Sequence, residues 1–371
     1  MKKFLDCISI VGATPSKFHG TKKYVSTGAV ATTEIDESEV VEVTYEDRPS
    51  RANLSAEAGD ILFAKMQGTR KTLLLDSETE ENIYSTGFYA VRANPEVITT
   101  ECLYYLIDSE LFLAQKDKNC SGATQKAITN GGMAKIEISV PALSEQGILV
   151  DKLKHLTQLI ADKKKQLNLF DEIIKSRFIE MFGDPKRNPR KWDMVTVGDI
   201  ATDVRYGTSR PATEGGKYPY LRMNNLTYEG YLDLTDLKHI DIPDNEVEKC
   251  VVRNGDVLFN RTNSVELVGK TCVYNLDSDM IIAGYIIRVR IDDRVLPVIL
   301  SSYLNSTVMK EQLRSMAKGA VNQANINAQE LRSIPIYLPP ITLQHEFATF
   351  VEQVDKSKYH GEFTCEMEVA A

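Results

Sequence analysis

A heptad pattern of hydrophobic positions runs through the middle of the chain. Residues 148–182 contain neither glycine nor proline, and hydrophobic residues recur there at alternating steps of four and three. This spacing is typical of a coiled coil and predicts a long helix that pairs with another helix, the alternative being an amphipathic helix lying on one domain. The stripe consists of Leu149, Leu153, Leu156, Ile160, Lys163, Leu167, Phe170, Ile174, Arg177 and Met181.

Short β-rich runs and short helical patterns alternate on both sides of this helix. "GDILFA" (59–64) and "GDVLFN" (255–260) each predict a turn followed by a strand, and "GYIIRVRI" (284–291) predicts another strand. Apolar residues at helical spacing fill 101–115 and 297–317. This mixture predicts an α+β fold on each side of the helix.

The two sides are copies of each other. "GDILFAKMQGTRKT" (59–72) matches "GDVLFNRTNSVELVGKT" (255–271), and "IEISVPALSEQ" (136–146) matches "IPIYLPPITLQ" (334–344). Other matches keep the same order, and Gly87 and Gly284 give an offset of 284 − 87 = 197. We therefore predict a tandem duplication. Its parts are a first domain (1–142), a spacer helix (143–183), a second domain (184–340) and a second helix with a tail (341–371).

Composition and charge narrow the class of protein. The formal net charge of −8 argues weakly against nucleic-acid binding, unless positive charge is concentrated in loops or supplied by partners. Six scattered cysteines without ligand spacing indicate reduced thiols rather than a metal site. No run approaches the ~18 apolar residues of a membrane helix, so we expect a cytoplasmic protein. Motifs for binding ATP or S-adenosylmethionine are missing from the sequence, which argues against a methyltransferase or nuclease.

Two helical stretches carry a family resemblance. "FDEIIKSRFIEMFGDP" (170–185) and "IPIYLPPITLQHEFATFVEQVDKSK" (334–358) resemble the two conserved helices of the specificity subunit of type I restriction–modification systems. The "GDILF" and "SGATQ" segments stand where the target recognition domains of that family carry them. The resemblance covers nearly the whole chain.

The resemblance implies a non-catalytic subunit without a cofactor of its own. Each target recognition domain would read one half of a bipartite site in double-stranded DNA, and two antiparallel helices would set the gap. Modification subunits, which methylate adenine with S-adenosylmethionine, would dock on this frame, and ATP-hydrolysing restriction subunits would join them. A two-domain DNA-binding or scaffold protein outside a restriction complex is the alternative.

Polar side chains in the loops are the candidate DNA contacts, because arginine pairs with guanine and amides pair with adenine. Arg261 and Asn263 are the strongest, since they directly follow a strand. Ordinary hairpins, solvated loops and helix caps are the competing interpretations. The candidates are Lys65, Gln67, Arg70, Lys71 and Lys126 in the first domain, and Thr208, Ser209, Arg210, Arg222, Asn224, Asn225, Arg261, Thr262, Asn263, Ser264, Lys270 and Asn322 in the second.

The second helix is expected to end early. "YHGEFTCEMEVAA" (359–371) interrupts its pattern, so about 17 helical residues would remain, or roughly 25 Å. Phe347, Val351 and Val354 would then meet the far end of the spacer helix, at Leu167, Phe170, Ile174 and Phe178. The stripe from Leu149 to Ile160 would stay open, which predicts that a partner subunit or a second copy of the chain covers it.

Overall fold

The computed structural model describes the backbone of residues 1–320 and 323–370 and the side chains of residues 1–317 and 323–358. It divides into two compact units, Met1–Leu159 and Ile160–Ala371. Asn322 and its predicted DNA contact lie outside the described residues.

The first unit contains two four-stranded sheets and a short strand pair. One sheet has the antiparallel order β2-β9-β6-β7, the other the order β4-β3-β8-β5 with a parallel pair at its centre, and β1 pairs with β10. Its helices are α1 (Thr100–Ile107), α2 (Glu110–Lys118) and α3 (Asn130–Met133), with 3-10 turns at Phe4–Asp6, Glu37–Glu39 and Thr79–Glu81. Its strands are β1 (Lys2–Lys3), β2 (Ile8–Val11), β3 (Lys22–Val25), β4 (Val41–Val43), β5 (Ala52–Leu54), β6 (Ile61–Ala64), β7 (Thr72–Leu74), β8 (Ile83–Ser85), β9 (Phe88–Ala93) and β10 (Glu137–Ile138).

A single helix, α4 (Leu143–Phe182), crosses the boundary between the units. The second unit adds α5 (Val197–Ile200), α6 (Asp244–Cys250), α7 (Pro297–Asn305), α8 (Thr307–Met316), α9 (Ala328–Arg332) and α10 (Ile341–Ala370), with a 3-10 turn at Met223–Asn225. Its strands are β11 (Asp193–Thr196), β12 (Ala201–Tyr206), β13 (Tyr218–Leu221), β14 (Lys238–Ile240), β15 (Val251–Val252), β16 (Val257–Asn260), β17 (Thr262–Asn263), β18 (Thr271–Val273), β19 (Met280–Ile282), β20 (Ile286–Ile291), β21 (Lys318–Ala320), β22 (Gln323–Asn325) and β23 (Pro335–Leu338).

Sheet topology confirms the duplication. In the second unit the orders β12-β20-β16-β18 and β14-β13-β19-β15 and the pair β11-β23 repeat those of the first unit. The register repeats as well, because Ile61 pairs with Val91 in one unit and Val257 pairs with Val289 in the other. The second unit also has a three-stranded sheet, β17-β22-β21, where the first has isolated bridges at Met66–Ala127 and Ser121–Ala127.

The repeated Gly-Asp pairs have a structural role. Gly59 and Gly255 both adopt positive φ, at 86° and 90°, a region that glycine enters without a steric penalty. The aspartate that follows is buried in each copy and accepts a hydrogen bond from an arginine of the neighbouring strand. Asp60 pairs with Arg92 at 2.6 Å, and Asp256 pairs with Arg290 at 2.9 Å.

Helix α10 packs antiparallel on the C-terminal half of α4, as predicted. The Phe347 ring lies 5.4 Å from the Phe178 ring and 5.5 Å from the Phe182 ring, and all three are buried. Further along, Lys358 of α10 forms an ion pair with Asp171 of α4. Ile174 and Val351 pack against the same core, Val354 is buried, and Leu167 and Phe170 are half-buried.

The predicted early end of the second helix is wrong. Helix α10 continues to Ala370 and has 30 residues. The segment after Lys358 contains one glycine and no proline, and its glutamate, methionine and alanine residues favour helix enough to offset the ~1 kcal/mol cost of Gly361. On α4, Leu149 and Ile160 are 38% and 39% exposed, whereas Leu153 and Leu156 are half-buried. The stripe is thus only partly covered, and its coverage by a partner subunit or a second copy of the chain stays a prediction.

None of the helices in the described part of the chain is both long and apolar enough to cross a membrane.

Candidate nucleic-acid interface

A cationic residue follows the third strand of the antiparallel sheet in both units. Lys65 comes directly after β6, and Arg261 comes directly after β16. The Lys65 carbonyl accepts a hydrogen bond from the Ile128 amide at 2.8 Å, and the Arg261 carbonyl accepts one from the Ile326 amide at 2.9 Å. Lys65 and Arg261 are 261 − 65 = 196 residues apart, the same offset as Ile61 of β6 and Val257 of β16, so they occupy the same position of the duplicated fold.

Their side chains also make equivalent contacts. Lys65 Nζ donates to the Thr86 carbonyl at 2.9 Å, and Arg261 Nη1 donates to the Gly284 carbonyl at 3.3 Å. Both cations are half-buried, and burial lowers the pKa of the Lys65 ammonium. A tyrosine ring lies beside each cation: Tyr89 is 4.3 Å from Lys65 Nζ, and the centroid of Tyr206 is 4.9 Å from the Arg261 guanidinium carbon.

In the first unit, residues 65–71 form a loop whose cationic side chains have intramolecular partners. Arg70 binds both carboxylate oxygens of Asp108 at 2.8 and 3.1 Å and Glu110 at 2.9 Å, and the hydrogen bond with Asp108 raises the pKa of its guanidinium. Lys71 Nζ donates to the Thr27 carbonyl at 2.6 Å. These contacts fix the loop, and the Gln67 side chain lies exposed at its surface.

Gln67 lies beside the second candidate segment of the same unit. Its backbone amide donates to the Lys126 carbonyl at 2.9 Å, and the side chains of Gln67 and Lys126 are both exposed. The structure therefore places two exposed polar residues side by side along the backbone, although they are 126 − 67 = 59 residues apart in the sequence.

In the second unit, residues 261–270 form the equivalent loop. Asn263, two residues after Arg261 as Gln67 is after Lys65, is half-buried and donates from Nδ2 to Asn260 Oδ1 at 2.8 Å. Thr262 is buried and donates to Asn325 Oδ1 at 2.8 Å, within the β17–β22 pair. Thr262 thus shapes this loop, while Arg261, Asn263 and Ser264 remain partly accessible.

A turn at residues 283–285 joins this loop to the segment after β12. The Gly284 amide donates to the Thr208 carbonyl at 2.7 Å, and the Arg261 amide donates to the Tyr285 carbonyl at 2.9 Å. Thr208 itself is buried, and its hydroxyl accepts from the Arg210 amide at 3.2 Å. We call the residues around this turn the Arg261 surface, which comprises Tyr206, Ser209, Arg210, Arg261 and Tyr285, each exposed or half-buried.

Arg210 on this surface is paired with a carboxylate. Its Nε and Nη2 donate to the two Glu246 oxygens at 3.0 and 2.8 Å, which raises the pKa of the guanidinium. Water screens such an exposed ion pair, so a phosphate or a base edge can compete with Glu246 for the arginine.

The remaining candidates form a separate cluster around Met223. Arg222 binds Asp236 at 2.6 Å, and buried Lys270 donates to the Met223 carbonyl at 2.8 Å. Asn225 is buried and donates to the Asp233 carbonyl at 2.8 Å. The neighbouring candidate Asn224 is exposed, and Arg222 is half-buried.

Sequence reasoning missed the aromatic and supporting residues of the interface. Tyr206 and Tyr285 are 42% and 49% exposed beside Arg261, and Asn260 is buried beneath the loop. Asn260 Nδ2 donates to the carbonyls of Thr262 and Tyr285, both at 3.1 Å. Position 285 lies inside a repeated strand segment and position 260 directly precedes Arg261, so the repeat could have identified both.

Within the described ranges, no group of histidine, cysteine, aspartate and glutamate side chains could hold a metal ion.

The chain matches one protein family over both units. Residues 10–169 and 189–361 match the family described as the type I restriction modification DNA specificity domain. The chain is 23% identical to the EcoKI specificity subunit of Escherichia coli over 314 residues, and this match covers 80% of the chain and 67% of the subunit. It is 23% identical over 287 residues to the StySPI specificity subunit of Salmonella potsdam, with coverage of 73% and 62%. The putative MjaX specificity subunit of Methanocaldococcus jannaschii is 28% identical over 171 residues, with coverage of 45% and 40%. The matches span about two thirds of these relatives' lengths or less.

Solved structures share the fold at low sequence identity. A chain from a study of complex assembly and conformational transition in the type I restriction–modification system has a TM-score of 0.53 at 20% identity, covering 98% of this chain and 94% of its own. The S subunit of a type I restriction–modification system from M. genitalium has a TM-score of 0.50 at 11% identity, with coverage of 98% and 91%.

Proposed function

Because the chain belongs to the type I restriction modification DNA specificity family, we propose that it recognises a bipartite site in double-stranded DNA and itself catalyses no reaction. Each unit reads one half-site. Helices α4 and α10 set the distance between the half-sites and provide the frame on which modification (methyltransferase) subunits dock, and restriction subunits join the complex. The partners supply the S-adenosylmethionine and ATP chemistry.

The observation that carries this proposal is the pair of equivalent loops. Both loops hold a cation at the first position and an amide at the third, which are Lys65 and Gln67 in one unit and Arg261 and Asn263 in the other. The backbone contacts at Lys65 and Arg261 are the same, whereas the side chains differ. Two copies of one frame with different polar side chains are what two different half-sites require. Glutamine and asparagine pair with adenine, and arginine pairs with guanine.

The candidate residues then fall into three groups by accessibility. Exposed Gln67, Lys126, Ser209 and Asn224, with half-buried Ser264, contact bases or phosphates directly. The residues that first exchange an intramolecular partner for DNA are Arg261, Asn263, Lys65, Lys71, Arg70, Arg210 and Arg222. The buried side chains support the loops, and they are Thr208, Asn225, Thr262 and Lys270.

A sequence selection experiment tests the proposal. The full chain, purified with its modification subunits, is incubated with randomised duplex DNA, and the bound fraction is sequenced. We expect two conserved half-sites separated by a gap of fixed length, and affinity that falls steeply with salt because phosphate contacts release counterions. Selection of one continuous site, or methyl transfer by the chain without its partners, would contradict the proposal.

Arg261 is the first residue to test within this frame. Arg261→Ala should cost about 1–3 kcal/mol on the selected site and relax one base position, since a bidentate contact to guanine discriminates by that amount. Arg187→Ala, in the segment after α4, is the matched control and should leave the selected sequence unchanged. Equal weakening on all DNA sequences would make Arg261 a phosphate contact instead.

A further inference from the structure

A buried lysine lies beneath the loop of the first unit. Lys116, on α2, is 2% exposed, and its Nζ donates to three carbonyls of residues 64–69. The acceptors are Ala64 at 3.3 Å, Met66 at 3.0 Å and Thr69 at 2.6 Å. One ammonium group has three protons, so all of its donors are engaged by this short segment.

The next residue holds the same segment through its amide. Asp117 Oδ2 accepts from the Gly68 amide at 2.9 Å, and Asp117 Oδ1 lies 3.7 Å from Lys116 Nζ. Two adjacent side chains at the end of α2 thus bind four backbone groups between residues 64 and 69. Gln67 lies inside this segment, and its side chain is exposed.

The second unit fixes its loop by other means. The N-caps Ser109 and Ser306 align α2 with α8 at an offset of 306 − 109 = 197, so the position equivalent to Lys116 is Leu313, which is buried and has no hydrogen-bond donor to offer loop 261–270. There, buried Asn260 and the β17–β22 pairing hold the backbone. The lysine–aspartate arrangement is therefore a feature of the first unit and acts on its loop alone.

We propose that Lys116 and Asp117 are positioning residues that hold loop 65–71 in the conformation that presents Gln67 to DNA, and thereby determine base preference in the first half-site. This inference rests on the proposed function. Removing the Lys116 ammonium would leave three carbonyls without their donor and let the segment sample other conformations. A loop that samples several conformations discriminates less between sequences, because it can re-pack against an incorrect base that the fixed loop would reject.

The test is selection from randomised duplex DNA by the full chain with its modification subunits. Exchanging residues 59–72 for another sequence identifies the first half-site. We expect Lys116→Met to reduce discrimination there by about tenfold or more, the effect of losing hydrogen bonds to a charged group, and to leave the second half-site intact. Asp117→Ala should have the same direction of effect, because it releases the Gly68 amide without removing the buried cation. Lys116→Arg, which keeps a donor beneath the loop, should partly restore discrimination.

Lys310→Met is the matched control, since Lys310 is a buried lysine of the second unit that donates to the Tyr228 carbonyl and not to loop 65–71. It should leave discrimination in the first half-site unchanged. Equal loss at both half-sites with Lys116→Met and Asp117→Ala would show that these residues support only the fold. Unchanged selection with either variant would show that the loop is held without them. If the unmodified complex selects no bipartite sequence, the proposed function itself fails.

Discussion

At the scale of single residues, burial decides what a charged side chain does. Lys310 is 7% exposed, its Nζ lies 3.3 Å from the Tyr228 ring centroid, and it donates to the Tyr228 carbonyl. Burial, with a smaller contribution from nearby Lys175, lowers the pKa of Lys310 to about 8. Because burial disfavours the ammonium form in the folded state, Lys310 destabilises the second unit at any pH at which it is charged.

The sign of the pH dependence follows from proton binding. An unfolded lysine has a pKa of about 10.4, so between about pH 8 and 10.4 the unfolded chain binds more protons than the folded chain. The Lys310 contribution to the free energy of unfolding should therefore rise with pH, by about 2 kcal/mol between pH 7.5 and 9.5. Below pH 8 the penalty is fully present.

Urea unfolding measures this contribution, with fluorescence of Trp192, the one tryptophan in the sequence, as the reporter for the second unit. In Lys310→Met the extra rise of the unfolding free energy with pH should disappear. In Lys186→Met, which changes an exposed lysine, this rise should remain. Equal pH slopes for the unmodified chain and Lys310→Met would contradict the assignment.

At the scale of elements, the helix pair is held by an aromatic cluster at its base. Phe347 of α10 is fully buried between Phe178 and Phe182 of α4. The two helices also begin in the same way. Gln146 and Gln344 are both fully buried, and each side-chain NH2 donates to the carbonyl of the proline five residues earlier, Pro141 and Pro339 respectively. The side-chain oxygen of Gln146 accepts from the backbone N–H of Thr99, just before α1, and that of Gln344 accepts from the backbone N–H of Leu296, just before α7. The repeated Pro…Gln spacing thus joins each helix to its unit.

Truncation of Phe347 tests the helix pairing. Phe347→Ala should destabilise the second unit by about 3–5 kcal/mol, because it removes a buried ring and leaves a cavity between α4 and α10. Phe350, on the same helix, is half-buried beneath Arg177, so Phe350→Ala should cost clearly less. Urea unfolding followed by Trp192 fluorescence measures both variants. Similar costs would show that the aromatic cluster does not anchor the pair.

At the scale of the whole molecule, the duplication makes recognition modular. The sheets, their registers and the loop-bearing strands repeat from one unit to the other, yet the loops differ in sequence and in the contacts that fix them. The contacts of residues 65–71 described above lie within the first unit, so a change in this loop acts first on its own unit. We therefore expect each half-site to follow its own unit.

Loop exchange measures this independence. Replacing residues 59–72 with the corresponding segment of another family member should change one half-site and leave the other half-site and the gap unchanged. Replacing residues 255–271 should do the converse. The measurement is selection from randomised duplex DNA by the complex with its modification subunits. A simultaneous change in both half-sites would rule out modular reading.

The sequence by itself determined the duplication, the spacer helix and the Gly-Asp turns. These features depend on local information: a heptad period sustained over α4, glycine at positions of positive φ, and segments that match at a nearly constant offset. The hydrophobic period also predicted that α4 pairs with another helix, and the family resemblance identified α10 as that helix. The length of α10 did not, because one glycine was given more weight than the helix-forming residues around it.

Only the tertiary structure decided which polar residues of the loops are accessible. Thr262 and Asn225 are as polar as Gln67 and Asn224, yet Asn325 and Asp233 draw the first two into buried hydrogen bonds. Those partners are 325 − 262 = 63 and 233 − 225 = 8 residues away, in segments whose approach no local pattern encodes. Lys116 shows the same limit, since its position on α2 indicates nothing about the three carbonyls that it binds 47–52 residues earlier. Burial depends on neighbours that the fold alone brings together, so the sequence could name the candidate side chains, and tertiary packing determined which of them reach the surface.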